Sequence, residues 1–341
     1  MAAGQNTYSS ALGNQLTSEA RIFYNMELID RLKPHLGLLQ HGSKETIPNN
    51  TGGFGSGEIQ RRKFTISDTL STTSDLVTVE GVAPDALNLS VVASSTQLTE
   101  YAMSLTLTKR LVLAGMDKCM DESIKLIGER MGQLIHLLTI AAIESGATNI
   151  TYGGSATTTG TLTASDVLTS TVIKKAVREL AKRKAPKFNN TFYRCVVNPE
   201  LTYDLSNDSQ WRNVGEYNGG AADHGGPNLI TGALGMIHGV EFFGTTDLTK
   251  LATGGVGGNV NYAKAFVFGE DPWTSYDFAG MGYGNIDPDT NLGVKVDAEL
   301  PGKSSKADRH GMWGYAAAAV AFACKVWDAD RIQQLNVAYS S

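Results

Sequence analysis

Residues 116–146, MDKCMDESIKLIGERMGQLIHLLTIAAIESG, carry the strongest periodic signal in the chain: Met116, Met120, Ile124, Ile127, Met131, Leu134 and Leu138 step by 4, 4, 3, 4, 3 and 4. That spacing sets all of them on one face of an α-helix. Asp117, Asp121 and Glu122 stand at the end where the helix dipole favours negative charge, and Gly146 follows the last turn. Roughly 30 residues at 1.5 Å each span about 45 Å, well beyond a mean helix. One stripe does not make a coiled-coil rod. It predicts a spine laid across a flat domain, which an aspartate at Leu134 is expected to unfold.

Upstream, the period changes to two. From Phe64 to Leu113 the chain is strand and hairpin, clearest where Tyr101, Met103, Leu105 and Leu107 alternate with Ala102, Ser104, Thr106 and Thr108. The pieces Phe64–Ile66, Leu76–Val82 and Leu87–Val92 are too sparsely apolar for a core of their own, so a long hairpin arm that needs a partner is expected. Before it, Asn49–Gly57 is a Gly- and Asn-rich loop. Earlier still, Ser18–Leu32 is a helix with Ile22, Met26 and Ile29 at helical spacing, ended by Pro34. Downstream, a second helix runs from Ser165 to about Lys184, capped by Ser165/Asp166 and burying Leu168, Val172, Ala176 and Leu180. A buried strand, Phe192–Val197, ends at Pro199. Short strands follow at Val240–Phe243, Ala263–Phe268, Val294–Val296 and Ala316–Trp327, separated by Gly-rich loops. The class is α+β without internal repeats.

Composition narrows the function. The 341 residues include 34 Asp plus Glu against 29 Lys plus Arg, a net charge of -5, and only 18% are charged, against about 25% on average. Glycine, at 37 residues, helps build the surface instead, which suits packing against neighbours. A net acidic chain without a basic block argues against sequence-specific nucleic-acid binding. The cluster Lys174, Lys175, Arg178, Lys182, Arg183, Lys184 and Lys187 lacks interleaved aromatics and fits a solvated or subunit-contact face. The start has neither a basic nor an apolar region of a secretory signal. The longest apolar run, Ala316–Cys324, has nine residues and is too short for a bilayer. Cys119, Cys195 and Cys324 fit buried thiols.

No catalytic, cofactor or metal residues are expected. G-x-S-x-G is absent. Gly302-Lys303-Ser304 lacks the first Gly of a phosphate loop, since Asp297 holds that place. Asp287, Asp289 and Asn291 lack the turn glycine and closing carboxylate of a calcium loop. The six histidines form no H-x-x-x-H pair, and His136 within the long helix fits packing or a subunit contact.

Neither arm can bury its apolar face alone, so both are expected to lie on neighbouring copies. This order resembles the major capsid proteins of tailed phages with the Hong Kong 97-type fold. Glu80-Gly81-Val82-Ala83-Pro84 is similar to the Glu-Gly turn of that family's extended loop. Val196-Val197-Asn198-Pro199, then Tyr203-Asp204-Leu205, Asp208 and Trp211, Ile230-Thr231-Gly232-Ala233-Leu234-Gly235 and Gly239-Val240-Glu241-Phe242-Phe243 resemble the axial-domain stretch of the branch typified by phage N-four. Asn198 stands where a His is more usual. Ala263–Gly269 and Trp313–Val326 are similar to closing strands. The resemblance implies an N-terminal arm with a helix at 1–48, an extended loop at 49–112, a peripheral domain with the spine helix at 113–163, an axial domain at 164–262 and closing strands at 263–341.

It also implies hexamers and pentamers forming an icosahedral shell around double-stranded DNA that is not read for sequence. Implied partners are further copies of the chain, a separate scaffolding protein, a portal protein and a decoration protein, without a membrane. The location would be the virion capsid, assembled in the bacterial host cytoplasm. Some relatives lock their shells through a lysine on the extended loop; Lys63 is the nearest such residue here, without an identifiable partner. The competing readings are an encapsulin-like compartment with the same fold, and a cytosolic enzyme with no recognisable motif.

Overall fold

The computed structural model describes residues 27–28, 30–48, 58–66, 89–114, 119–209, 235–279, 284–285, 293–299, 301–302 and 309–340. The strands are β1 (Ser43–Pro48), β2 (Glu58–Ile66), β3 (Leu89–Gln97), β4 (Thr99–Thr108), β5 (Ile150–Tyr152), β6 (Tyr193–Val197), β7 (Met236–Ile237), β8 (Val240–Gly244), β9 (Lys250–Gly254), β10 (Val260–Phe268), β11 (Trp273–Ala279), β12 (Gly284–Asn285), β13 (Gly293–Glu299), β14 (Trp313–Val326) and β15 (Ile332–Ala338). The helices are α1 (Lys109–Ala114), α2 (Cys119–Gly146), α3 (Ser170–Lys182) and α4 (Pro199–Asn207).

They form two sheets and a separate ribbon. The first sheet has the order β1-β11-β14-β13-β12, with β4 also on β14; the second has the order β5-β15-β10-β6-β8-β7, with β9 on β10. Among the described residues, strands β2 and β3 pair only with each other. Helix α2 serves both sheets. Its Met120, Ile124, Ile127, Met131 and Ile135 pack on Ala316, Ala318, Val320 and Phe322 of β14 and on Val294 and Val296 of β13. Its last turns place Ile140 and Ile143 against Val196, Phe266, Phe268, Trp273 and Ile332. The alternation of β14 explains the first contact: Ala316 and Ala318 point inward, and their small size lets the helix axis approach the sheet. The other core lies under α3, whose Val172, Ile173, Ala176 and Leu180 cover Ala265, Val267, Leu335 and Val337.

Several expectations change at this level. The buried line of α2 passes from Met131 to Ile135, Thr139 and Ile143, leaving Leu134 and Leu138 only half-buried. A second sheet claims the end of the helix, so the line turns from the face that one sheet would select. Gly146 ends α2 as a close-approach glycine, because a Cβ there would collide with Val326. By length and mean hydropathy α2 could also cross a membrane; here its apolar face is buried against the two sheets. The period-two segment stops at Thr108, whose Oγ1 accepts from the Leu111 amide at 3.3 Å and starts α1.

The predicted Ser165/Asp166 cap is displaced. Asp166 accepts instead from the Thr163 amide and hydroxyl at 2.8 and 2.9 Å. Its carbonyl accepts from the Ala338 amide, so residues 165–169 are held beside β15 and α3 begins at Ser170. The Ser170 amide finds its acceptor in Asp208 Oδ2, 2.7 Å away at the end of α4. The first α-helical segment stops at Leu32, as expected from Pro34. The chain continues as a 3₁₀ helix, Lys33–His41, with the proline in its first turn, where no backbone N–H is needed.

The N-terminal segment over 27–48 does not await a neighbour. Leu28, Leu32, Leu36 and Leu39 are buried against α2, and β1 runs parallel to β11. Gly128 permits this approach: a Cβ there would stand 2.7 Å from the Leu28 carbonyl oxygen. The 49–57 loop, the Leu76–Val82 strand and the Glu80-Gly81 turn lie outside the described residues.

An aspartate at Ile135, fully buried, should cost several kcal/mol and unfold the subunit. The same change at half-buried Leu134 should cost clearly less. Thermal denaturation of both variants checks this; equal losses would mean that the buried line follows the simple heptad-like stripe after all.

Candidate assembly surfaces

Among the described residues, no group of three or more His, Cys, Asp or Glu side chains converges on a metal-sized site. Burial pushes the Cys195 thiol well above its ordinary value and the Cys324 thiol up to about 12. Both stay protonated at neutral pH and are poor nucleophiles. His136 reaches Thr245 Oγ1 at 3.0 Å and Asp247 Oδ2 at 3.5 Å, tying α2 to the loop after β8. The basic cluster is largely engaged internally: Glu179 takes Arg178 and Lys182, Lys175 donates to the Gly154 carbonyl, and Arg183 donates to Gln333. Asp287, Asp289, Asn291, Lys303 and Ser304 lie outside the described residues.

The motif over 196–208 works as a set of folding pins. Asn198 ends β6, stands fully buried at the N-cap of α4, and its carbonyl accepts from the Thr202 amide and hydroxyl at 3.0 Å each. Pro199 takes the first helical position, where its fixed φ is favourable. Asp204 accepts from the Ser340 amide at 3.1 Å and from its hydroxyl, fastening the C-terminal end. Between β7 and β8, His238 and Gly239 both have positive φ, 52° and 74°, as a two-residue hairpin turn of the primed type requires. Trp211 and Ile230–Leu234 lie outside the described residues.

One charged junction escaped the sequence reading. Arg194 on β6 donates from Nε to Glu241 on β8 at 3.0 Å and from an Nη to His41 Nδ1 at 3.0 Å. Its guanidinium lies 4.3 Å from the Phe188 ring centroid and 5.5 Å from that of Phe243. His41 itself packs on Phe243 at 4.5 Å. A cavity of about 550 Å³ opens beside it, lined by His41, His136, Val196, Phe243, Thr245 and Asp247 among others. Nothing in the local sequence around His41 signals this, because its partners lie some 150 to 200 residues away.

Several outward positions on β3 and β14 carry large apolar side chains. In the β2–β3 ribbon the register sets Phe64 opposite Val91 and Ile66 opposite Leu89. Leu89 is 63% exposed and Val91 is exposed as well. On β14, Trp313 and Tyr315 face outward in alternation with Gly314 and Ala316. Such faces mark contact with other chains.

Comparison with known families agrees with this geometry. The phage capsid protein family matches over residues 91–333, more than two thirds of the chain. The chain belongs to the phage capsid protein family. This subunit is therefore structural and not an enzyme: it is a major capsid protein that builds an icosahedral shell.

Its fold is also that of solved shells. The capsid of Ralstonia phage GP4 is 15% identical at a TM-score of 0.65, covering 88% of this chain and 87% of that one. The capsid of cyanophage Pam1 is 12% identical at 0.64, with 90% and 92% covered. The SrpI encapsulin of Synechococcus elongatus is 11% identical at 0.55, with 90% of each chain covered. A search of curated protein sequences returns no match.

For the capsid subunit, Leu89→Asp and Val91→Asp should leave thermal stability within about 0.5 kcal/mol of the parent, as exposed sites do. They should sharply lower the yield of closed particles counted by electron microscopy. A large fall in melting temperature would place these side chains in the subunit's own core.

Proposed function

We propose that the chain assembles as hexamers and pentamers into a shell around double-stranded DNA, with the β2–β3 ribbon lying over the next copy. The observation that carries this is the ribbon itself: nine consecutive cross-strand pairs with exposed apolar residues on β3. A two-stranded ribbon is marginal alone in water, and a neighbouring copy supplies the missing layer. The net charge of -5 suits a container that must release its contents, since a strongly cationic lining would hold DNA by counterion release.

In the same reading, the first sheet with α2 is the peripheral domain, the second sheet with α3 and α4 the axial domain, and 49–112 the extended loop. The pins at Asn198, Asp204 and Asp208 support placement in the N-four-like branch. A separate scaffolding protein, a portal protein and a decoration protein are the proposed partners, with assembly in the host cytoplasm. An encapsulin-like compartment is the alternative with this fold. The phage family match favours the virus.

Replacing residues 58–97 by a short Gly/Ser linker tests the arm. The expected product is a folded subunit, unchanged in circular dichroism, that forms no closed particles when scaffold is present. A normal yield of shells would overturn the assignment.

A further inference from the structure

His41 stands where the N-terminal segment crosses onto the second sheet. It is buried, the 3₁₀ helix Lys33–His41 ends on it, and β1 begins two residues later. Its Nδ1 is 3.0 Å from an Arg194 Nη. Guanidinium can only donate, so the imidazole nitrogen must be the acceptor and must carry no proton. Of the charged groups around it, Arg194 acts directly on the ring and opposes an imidazolium. From β6 comes Arg194; from β8 comes Glu241, whose Oε2 already holds Arg194 Nε at 3.0 Å. Across the cavity, Asp247 faces His136 of α2 at 3.5 Å. From β10 comes the ring of Phe268, 5.9 Å away.

We propose that His41 is an acid-released latch: as a neutral acceptor it clamps the 33–48 segment to β6 and β8, and proton uptake at Nδ1 opposes that clamp. The proton occupies the lone pair that Arg194 uses, so two N–H donors and two positive charges are brought face to face. Acid therefore loosens the N-terminal segment. The latch is a property of the folded subunit and does not depend on the shell reading.

Burial first, and Arg194 second, lower the His41 pKa from 6.5 to about 4. The sign follows. Above pH 6.5 the latched and released states are both neutral at this residue, and the latch is intact. Between pH 6.5 and about 4 the released state takes up a proton that the latched state refuses, so latching weakens about tenfold per pH unit as pH falls.

The test is hydrogen exchange by mass spectrometry on the full-length chain from pH 7.5 to 4.5, corrected for intrinsic rates. Amides of residues 36–48 should lose protection about tenfold per pH unit below pH 6, while those of α3 hold theirs. His41→Gln, which keeps an acceptor but cannot titrate, should abolish that dependence, and His136→Gln should preserve it. Parallel pH profiles for the parent and H41Q would overturn the latch. Should H41Q fail to fold, NMR titration of His41 in the parent decides. A midpoint below 5 supports the latch, and one near 6.5 refutes it.

Discussion

The contact of α2 with β14 sets the rest of the molecule. Ile124, Ile127, Met131 and Ile135 meet Ala316, Ala318, Val320 and Phe322. The alternation of small residues on the strand brings the helix close enough for its other flanks to be used. Leu28 and Leu32 pack on one such flank over Gly128, and Ile140 and Ile143 reach the second sheet. Each fully buried Ile or Leu contributes ~2 kcal/mol, and one helix collects that burial from two sheets and the N-terminal segment at once. A helix of 28 residues, about 42 Å at 1.5 Å per residue, is long enough to do so. Among the described residues, that leaves Leu89 and Val91 of the ribbon and Trp313 and Tyr315 at the start of β14 exposed, and a shell of copies can supply a layer over them.

Elements with strong local periodicity were legible. The long helix, the period-two strand through Tyr101–Leu107, the buried β6 and the core of β14 all carry their pattern in adjacent residues. β15 did not. Ile332–Ala338 is buried throughout, yet contains Gln333, Gln334 and Asn336. Their polarity is satisfied by Arg183, Thr151 and one another. No sequence window reveals that partners some 150 to 180 residues away will make a polar strand fit for the centre of a sheet. The start of α3 failed for a related reason: the Asp208 side chain supplies the cap from another helix, and Asp166 serves a different turn.

The N-terminal segment shows the same limit at a functional junction. The spacing of Ile22, Met26 and Ile29 suggests a helix, but whether the segment lies on a neighbour or on its own body depends on Gly128, which only the packing makes meaningful. His41 is similarly unremarked in sequence and becomes informative through Arg194, Glu241 and three aromatic rings. The motif residues Asn198, Asp204 and Asp208 were recognisable as landmarks. Their work became clear only from hydrogen bonds: the Asn198 carbonyl accepts from Thr202 at the start of α4, Asp204 fastens the C-terminal end, and Asp208 accepts from the Ser170 amide. A structural subunit offers no reactive cluster to find, so its function is written in exposed apolar faces and unaccompanied strands.

The central claim is that these faces are completed by further copies of the same chain. Negative-stain electron microscopy of the purified full-length protein, with mass photometry of the same sample and scaffolding protein added, tests it most directly. The account predicts closed shells, or hexameric and pentameric rings. A uniform monomer or dimer persisting with scaffold present would contradict it.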